Sequence, residues 1–135
     1  MKTFYIREAA TGKKVERAED VYESIREIGK ADQETLWVIG YNGSNTEIYR
    51  ECIFMGGMNH SMVDLKILFK RLITHDCLSF VIAHNHPSDN CTASDQDKTL
   101  TRAVELAALT LDIKFLDHLI ICESNYLSFR NQGLM

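Results

Sequence analysis

The chain has 135 residues, enough for one domain with a buried core and little room for a second. It is 45% hydrophobic and 25% charged, as in ordinary soluble globular proteins, and its net charge of -4 argues against a strongly basic surface for nucleic acid. The sequence shows neither a membrane-spanning apolar run nor a signal-peptide pattern at its start, so we expect a cytoplasmic protein that does not engage membranes.

Helical and strand-like patterns alternate along the chain. Residues 1–17 are expected to form an N-terminal extension or short hairpin, and residues 18–135 to form the domain. The predicted elements are a helix at 18–30, strands at 35–41 and 46–54 joined by an Asn-Gly turn signal, a helix at 62–74, a strand at 78–84, a helix at 94–111, and strands at 113–124 and 126–129. This order predicts an α/β (mixed α+β) single domain with a mixed β-sheet packed against helices.

The predicted strand LSFVIAH, residues 78–84, is a continuous apolar run bounded by polar residues. That pattern indicates a strand buried on both faces. His84 and His86 follow at its end, and side chains two residues apart in an extended segment point to the same side. Both imidazoles can therefore converge on one point.

Asp97, in the first turn of the next predicted helix, can supply a third ligand. Two imidazoles and a carboxylate that leave one position open are typical of catalytic zinc. Two alternatives stay open. The histidines can be ordinary loop residues, and Ser94-x-x-Asp97 is also a capping-box pattern at a helix start. One carboxylate is not expected to serve well as both cap and ligand.

The four cysteines show no C-x-x-C pair and no regular spacing, so neither a disulfide framework nor a structural zinc knuckle is expected. Cys52, Cys77 and Cys122 lie in or beside apolar runs and are predicted to be small core side chains. Cys91 lies in the loop after His86 and is predicted to be an oxidation-prone thiol.

One spaced motif, H-x-H-P-x6-S-x-x-D, is formed by His84, His86, Pro87, Ser94 and Asp97. It resembles the metal motif of the JAMM (JAB/MPN) metalloprotease-like domains. The segments AHNHPS, LDHLII and YLSF resemble, more narrowly, the bacterial RadC family, from about residue 18 to the C-terminus and without the N-terminal helix-hairpin-helix region of full-length members. The resemblance implies a JAB/MPN-like domain, related to the cytidine-deaminase-like fold, with one zinc ion held by His84, His86 and Asp97.

The resemblance also implies two catalytic residues. Glu34, at the start of the strand at 35–41, would be the general acid/base, and Ser94 would hydrogen-bond the developing oxyanion or the metal-bound water. RadC-like proteins also carry a basic-acidic pair at the start of a later helix, where this chain has Lys66-Ile67. If the acidic member of that pair were the catalytic residue, this chain would be inactive.

The first functional hypothesis is a zinc metallopeptidase or related hydrolase that cleaves a peptide or isopeptide bond, working as a monomer or homodimer. The alternative is a non-catalytic RadC-like module in DNA repair or recombination, or in protein interaction. Lys66, Lys70 and Arg71 are its candidate phosphate contacts. Deaminase chemistry is not expected, because the required His-x-Glu and Pro-Cys-x-x-Cys patterns are absent.

One more pair is a candidate for the site. Asp117-His118 can orient a metal-bound histidine, because such a ligand usually donates its second ring N–H to a neighbouring group. A purely structural pair at a strand end is an equally good interpretation.

Overall fold

The computed structural model describes residues 6–55 and 63–135. The elements in these residues are β1 (Ile6–Glu8), α1 (Ala18–Ile25), β2 (Thr35–Tyr41), β3 (Glu47–Met55), α2 (Leu65–Thr74), β4 (Ser79–Asn85), α3 (Asp95–Leu111), β5 (Lys114–Ile121) and β6 (Tyr126–Ser128). A short 3-10 helix, Arg26–Lys30, continues the chain after α1. The predicted helices and strands are confirmed, while the first residues of the N-terminal extension and the predicted start of the second helix lie outside the described residues.

The strands form one mixed sheet in the order β1-β3-β2-β4-β5-β6. The central strand β4 pairs antiparallel with β2 and parallel with β5. Helix α3 connects β4 to β5, so its first turn begins shortly after the carboxyl end of β4. The predicted α/β domain with a mixed sheet is confirmed.

Helices cover both faces of this sheet. On one face, α2 and α3 pack against β2 and β4 through a cluster that includes Leu36, Leu72, Ile82 and Val104. On the other face, α1 packs against the alternate side chains of the same strands, such as Trp37, Ile39 and Val81. Every residue of β4 is buried, which confirms the prediction of a strand enclosed on both sides. Within the described residues, no helix is long and apolar enough to cross a membrane.

The described part of the N-terminal segment joins the sheet and does not form a hairpin of its own. Strand β1 pairs antiparallel with β3 at the sheet edge, and Lys14 forms an isolated bridge with Thr46. The Val15 N–H donates to the Asn45 carbonyl at 2.9 Å, and the Glu47 N–H donates to the Lys13 carbonyl at 2.8 Å. This arrangement satisfies backbone groups that the edge of β3 would otherwise leave open.

Two cysteines differ from the sequence-based expectation. Cys91 and Cys122 form a disulfide, with their Cα atoms 5.9 Å apart, which the cysteine spacing did not predict. Cys122 is fully buried in the core, as predicted, but it is not a free thiol. The two residues come together because the loop after β4 folds back over the end of β5, a contact that cysteine spacing does not reveal. Cys52 and Cys77 are buried, as predicted.

Candidate metal centre

Strand β4 carries His84 near its carboxyl end, and His86 follows directly after the strand. His84 is fully buried, and His86 is partly buried. Their Nε2 atoms lie 3.0 Å apart. This approach follows from the alternation of side chains along an extended segment, which turns both rings toward the face covered by α3.

Asp97 meets both rings from the first turn of α3, and its side chain is fully buried. Its Oδ1 lies 3.1 Å from His84 Nε2, and its Oδ2 lies 3.4 Å from His86 Nε2. Two ligands at about 2.0–2.1 Å from a tetrahedral zinc ion are themselves about 3.3 Å apart. The three side chains therefore form a group that fits a single metal ion.

Asp97 also completes the capping box of α3. Its Oδ2 accepts a hydrogen bond from the Ser94 N–H at 2.8 Å, and its own N–H donates to Ser94 Oγ at 3.0 Å. The carboxylate thus makes its capping bond while lying against both histidine rings, and its role as a metal ligand stays a prediction. The capping bond uses Oδ2 and leaves Oδ1 against His84, so the helix terminus holds the carboxylate in place.

The outer ring nitrogens of both histidines have hydrogen-bond partners, one of which is a carbonyl oxygen that determines where the proton lies. His86 Nδ1 lies 2.9 Å from the Asn90 carbonyl oxygen, which can only accept, so the neutral ring keeps its lone pair at Nε2. His84 Nδ1 lies 2.7 Å from His118 Nε2, and His118 Nδ1 lies 2.7 Å from Thr101 Oγ1. When each Nδ1 donates along this chain, His84 also presents a lone pair at Nε2.

The side chains of Asp117 and His118 have different partners in the structure. The His118 ring is fully buried and contacts His84, as a group that orients a metal-binding histidine would. The Asp117 carboxylate accepts from Ser128 Oγ at 2.5 Å and from the Arg130 N–H at 3.0 Å. Burial raises the pKa of Asp117 despite these donors. The Asp117 carboxylate therefore stabilises the β5–β6 region, whereas the His118 ring contacts His84 in the candidate centre.

Glu34 precedes β2 and is partly buried. Leu36 pairs with His84 in the β2–β4 ladder, and Glu34 lies two residues before Leu36, directly before the start of β2. The Asp97 carboxylate and, to a smaller extent, the Glu34 carboxylate raise the pKa of His86. Glu34 thus lies at the same end of the sheet as the histidines.

Sequence analysis assigned no role to Asn85, which lies between the two histidines and is fully buried. Its Oδ1 accepts from the Thr35 N–H and the Thr35 hydroxyl, each at 2.7 Å. Its Nδ2 donates to the Gln33 carbonyl at 2.8 Å. Asn85 thereby holds the main chain on both sides of Glu34. The available signal was an amide directly after a strand predicted to be buried on both faces, because buried amides need hydrogen-bond partners.

Thr101 is the second residue that the sequence analysis missed. It is fully buried, and its Oγ1 lies within hydrogen-bond distance of His118 Nδ1, at 2.7 Å. The available signal was its position four residues after Asp97, which places both residues on one face of α3.

The predicted basic cluster lies on α2, on which Lys66 and Lys70 are exposed. Arg71 is partly buried, and its Nε lies 3.5 Å from Glu51 Oε1. The cluster therefore presents two exposed cations, and the third is engaged by a carboxylate of β3.

Comparison with known proteins finds a family that the sequence matches. The sequence model of a family described as "RadC-like JAB domain" matches residues 15–134. A UPF0758 protein of Flavobacterium johnsoniae is 34% identical over 123 residues, which cover 90% of this chain and 54% of the relative. A UPF0758 protein of Chlorobium chlorochromatii is 32% identical over 124 residues, 91% of this chain and 56% of the relative. The chain thus spans about half the length of the curated relatives it matches.

Proposed function

The chain belongs to the RadC-like JAB domain family, and from that membership and its site geometry we propose that it is a zinc-dependent hydrolase of the JAMM type. Its reaction is the attack of an activated water on a peptide or isopeptide carbonyl in a protein or peptide substrate. The observation that carries the proposal is the approach of His84, His86 and Asp97, whose donor atoms lie 3.0 to 3.4 Å apart.

Zinc suits this set of two imidazoles and one carboxylate, which leaves a position open. Bound there, it would polarise a carbonyl oxygen and lower the pKa of water to about 7. The protein contributes a His86 ring whose Nε2 lone pair is available when the neutral ring donates from Nδ1 to the Asn90 carbonyl. It also contributes a His84 ring that presents Nε2 when its Nδ1 donates to His118. It also contributes a carboxylate that the capping box of α3 holds in place.

Glu34 is the proposed general acid/base. It takes a proton from the attacking water and returns it to the leaving amine, a role that requires a carboxylate beside the metal ligands. Two observations support this assignment: the Glu34 charge acts on His86, and Asn85 holds the main chain on both sides of Glu34. Ser94 is the proposed donor to the developing oxyanion, since its oxygen accepts in the cap and its hydroxyl proton stays available.

Metal analysis tests the centre itself. We expect one zinc ion per chain in the purified wild type and none in the His84→Ala variant. Wild-type protein that is pure, folded and without bound metal after exposure to zinc would contradict the proposal, as would unchanged zinc content in the variant.

Glu34→Gln tests the chemistry separately from the metal. The amide keeps the shape of the side chain and loses the base, so we expect unchanged zinc content and about a hundredfold slower hydrolysis. The measurement is mass-spectrometric profiling of a mixed library of peptides and isopeptide-linked peptides. Glu27→Gln, at an exposed position, is the matched control. If the zinc-loaded wild type cleaves no member of the library, the hydrolase proposal fails. The alternative function, a non-catalytic metal-binding module, is then the one supported.

A further inference from the structure

The Cys91–Cys122 disulfide ties down the loop that lies between two proposed metal ligands. Cys91 follows His86 and precedes Asp97 in the chain, and Cys122 directly follows β5. Cys91 is partly buried, so a small reagent can reach it, whereas Cys122 is fully buried. The bond joins residues 31 apart in sequence. A covalent link therefore connects the metal loop to the neighbouring strand of the sheet.

Hydrogen bonds, and the packing of Ala93 against the buried cluster of Ile120, Cys122 and Phe129, also join this loop to the β5–β6 region. The His86 N–H donates to the Ile121 carbonyl at 3.0 Å. Farther along the loop, Asp89 Oδ1 accepts from the Ser124 N–H at 3.3 Å and from the Ser124 hydroxyl at 3.2 Å, both at exposed positions. Exposed hydrogen bonds compete with water and add little net stability. Residues 86–94 form neither helix nor strand, so the disulfide is a strong restraint on their conformation.

We propose that Cys91 and Cys122 are a reversible thiol–disulfide centre that sets the metal affinity of the site formed by His84, His86 and Asp97. This inference rests on the proposed metal-binding function and adds a regulatory input to it. The co-reactant is a low-molecular-weight disulfide of the glutathione type, or the corresponding thiol in the reverse direction.

The exchange is balanced in two steps. The Cys91 thiolate attacks one sulfur of the small disulfide, forms a mixed disulfide and releases one thiolate, which takes up a proton. The Cys122 thiolate then attacks Cys91 Sγ and displaces the second small thiol. The two protein thiols lose two electrons and two protons, and one small disulfide becomes two thiols.

The direction of the effect follows from loop ordering. In the oxidised form the disulfide holds the loop, so metal binding restricts few additional rotatable bonds of the main chain and side chains. In the reduced form the segment around Cys91 samples more conformations, and metal binding must restrict them again. We expect zinc affinity about tenfold lower in the reduced form, a moderate change because the capping box still holds Asp97 and the Ile121 carbonyl still holds the His86 backbone.

The test is the zinc affinity of the full chain in each redox state, measured by competition with a chromophoric chelator. One sample is oxidised with glutathione disulfide, and the other is reduced with a phosphine, because thiol reductants bind zinc. The Cys91→Ser and Cys122→Ala variants cannot form the bond. We expect both to show the affinity of the reduced wild type under either condition, with an unchanged circular dichroism spectrum as the check on folding.

A second measurement tests reversibility. The wild type is equilibrated in glutathione buffers of varied ratio, alkylated, and analysed by mass spectrometry. We expect the oxidised fraction to pass through one half within that series. A bond that stays fully formed or fully reduced across the whole series overturns the proposal.

The outcomes distinguish the two proposals. Equal, measurable zinc affinity in both redox states, or a Cys91→Ser variant with the affinity of the oxidised wild type, overturns the redox inference and leaves the metal site intact. Absence of zinc binding in both states overturns the redox inference and the proposed function together.

Discussion

Asn85 accepts a hydrogen bond from the Thr35 backbone N–H at 2.7 Å and donates to the Gln33 carbonyl at 2.8 Å. The residue between the two proposed metal-binding histidines therefore also holds the main chain that carries Glu34. Because Asn85 is fully buried, this connection is shielded from competing water. The metal ligands and the proposed general base are thus linked through one side chain.

Replacing Asn85 with Ala should loosen Glu34 more than it disturbs metal binding. The buried Thr35 N–H loses its side-chain acceptor, which costs about 1–3 kcal/mol of the free energy of unfolding. We expect faster hydrogen exchange of the Thr35 amide, slower hydrolysis, and a zinc affinity within about threefold of the wild type. Asn131→Ala, at an exposed position, is the control. Unchanged exchange of the Thr35 amide in Asn85→Ala would show that this bond does not hold the segment.

Asp97→Asn should weaken metal binding and leave the helix start intact. The amide oxygen can still accept from the Ser94 N–H, but the negative charge that would face the metal is lost. We expect zinc affinity to fall by about a hundredfold, measured by calorimetric titration, with little change in the helical circular dichroism signal. Asp95→Asn, in the same first turn but exposed, should bind zinc like the wild type. Equal affinity of the two variants would remove Asp97 from the centre.

Thr101→Val should weaken zinc binding although Thr101 does not contact the metal. The valine leaves His118 Nδ1 without its present partner, so the chain that orients His84 is broken. Loss of such supporting hydrogen bonds typically lowers metal affinity by about 10–100-fold. Thr110→Val, an exposed position on the same helix, makes the same chemical change away from the site. The prediction fails if both variants titrate with the wild-type zinc affinity.

Removing the metal should lower thermal stability. A ligand at about 100 times its dissociation constant stabilises the folded state by about 2.7 kcal/mol. For a domain of this size that corresponds to roughly 6–12 °C in Tm. We expect a chelator to shift the Tm of the zinc-loaded wild type downward by this amount and to leave His84→Ala unchanged. Differential scanning calorimetry with and without zinc makes the comparison, and a chelator-insensitive wild type speaks against a bound metal.

Local chemistry in the sequence determined most of the elements and part of the site. The continuous apolar run at 78–84 predicted the buried strand β4, because such a strand needs apolar side chains on both faces. The i, i+2 spacing of His84 and His86 predicted that the rings converge, because side chains two residues apart in an extended segment point to the same side. The Ser94-x-x-Asp97 pattern likewise predicted the helix start of α3.

Only the tertiary structure decided which distant groups support these residues. Asn85 meets Thr35 across 50 positions, His118 meets His84 across 34, and the disulfide closes over 31. Each contact depends on strand order and register: a one-residue slip of β2 against β4 would turn the side chains of β2 to the opposite face of the sheet. The sequence determined which groups can bind a metal, because that depends on side-chain chemistry and short-range geometry. The fold decided which groups orient them, because long-range pairing depends on the packing of the whole sheet.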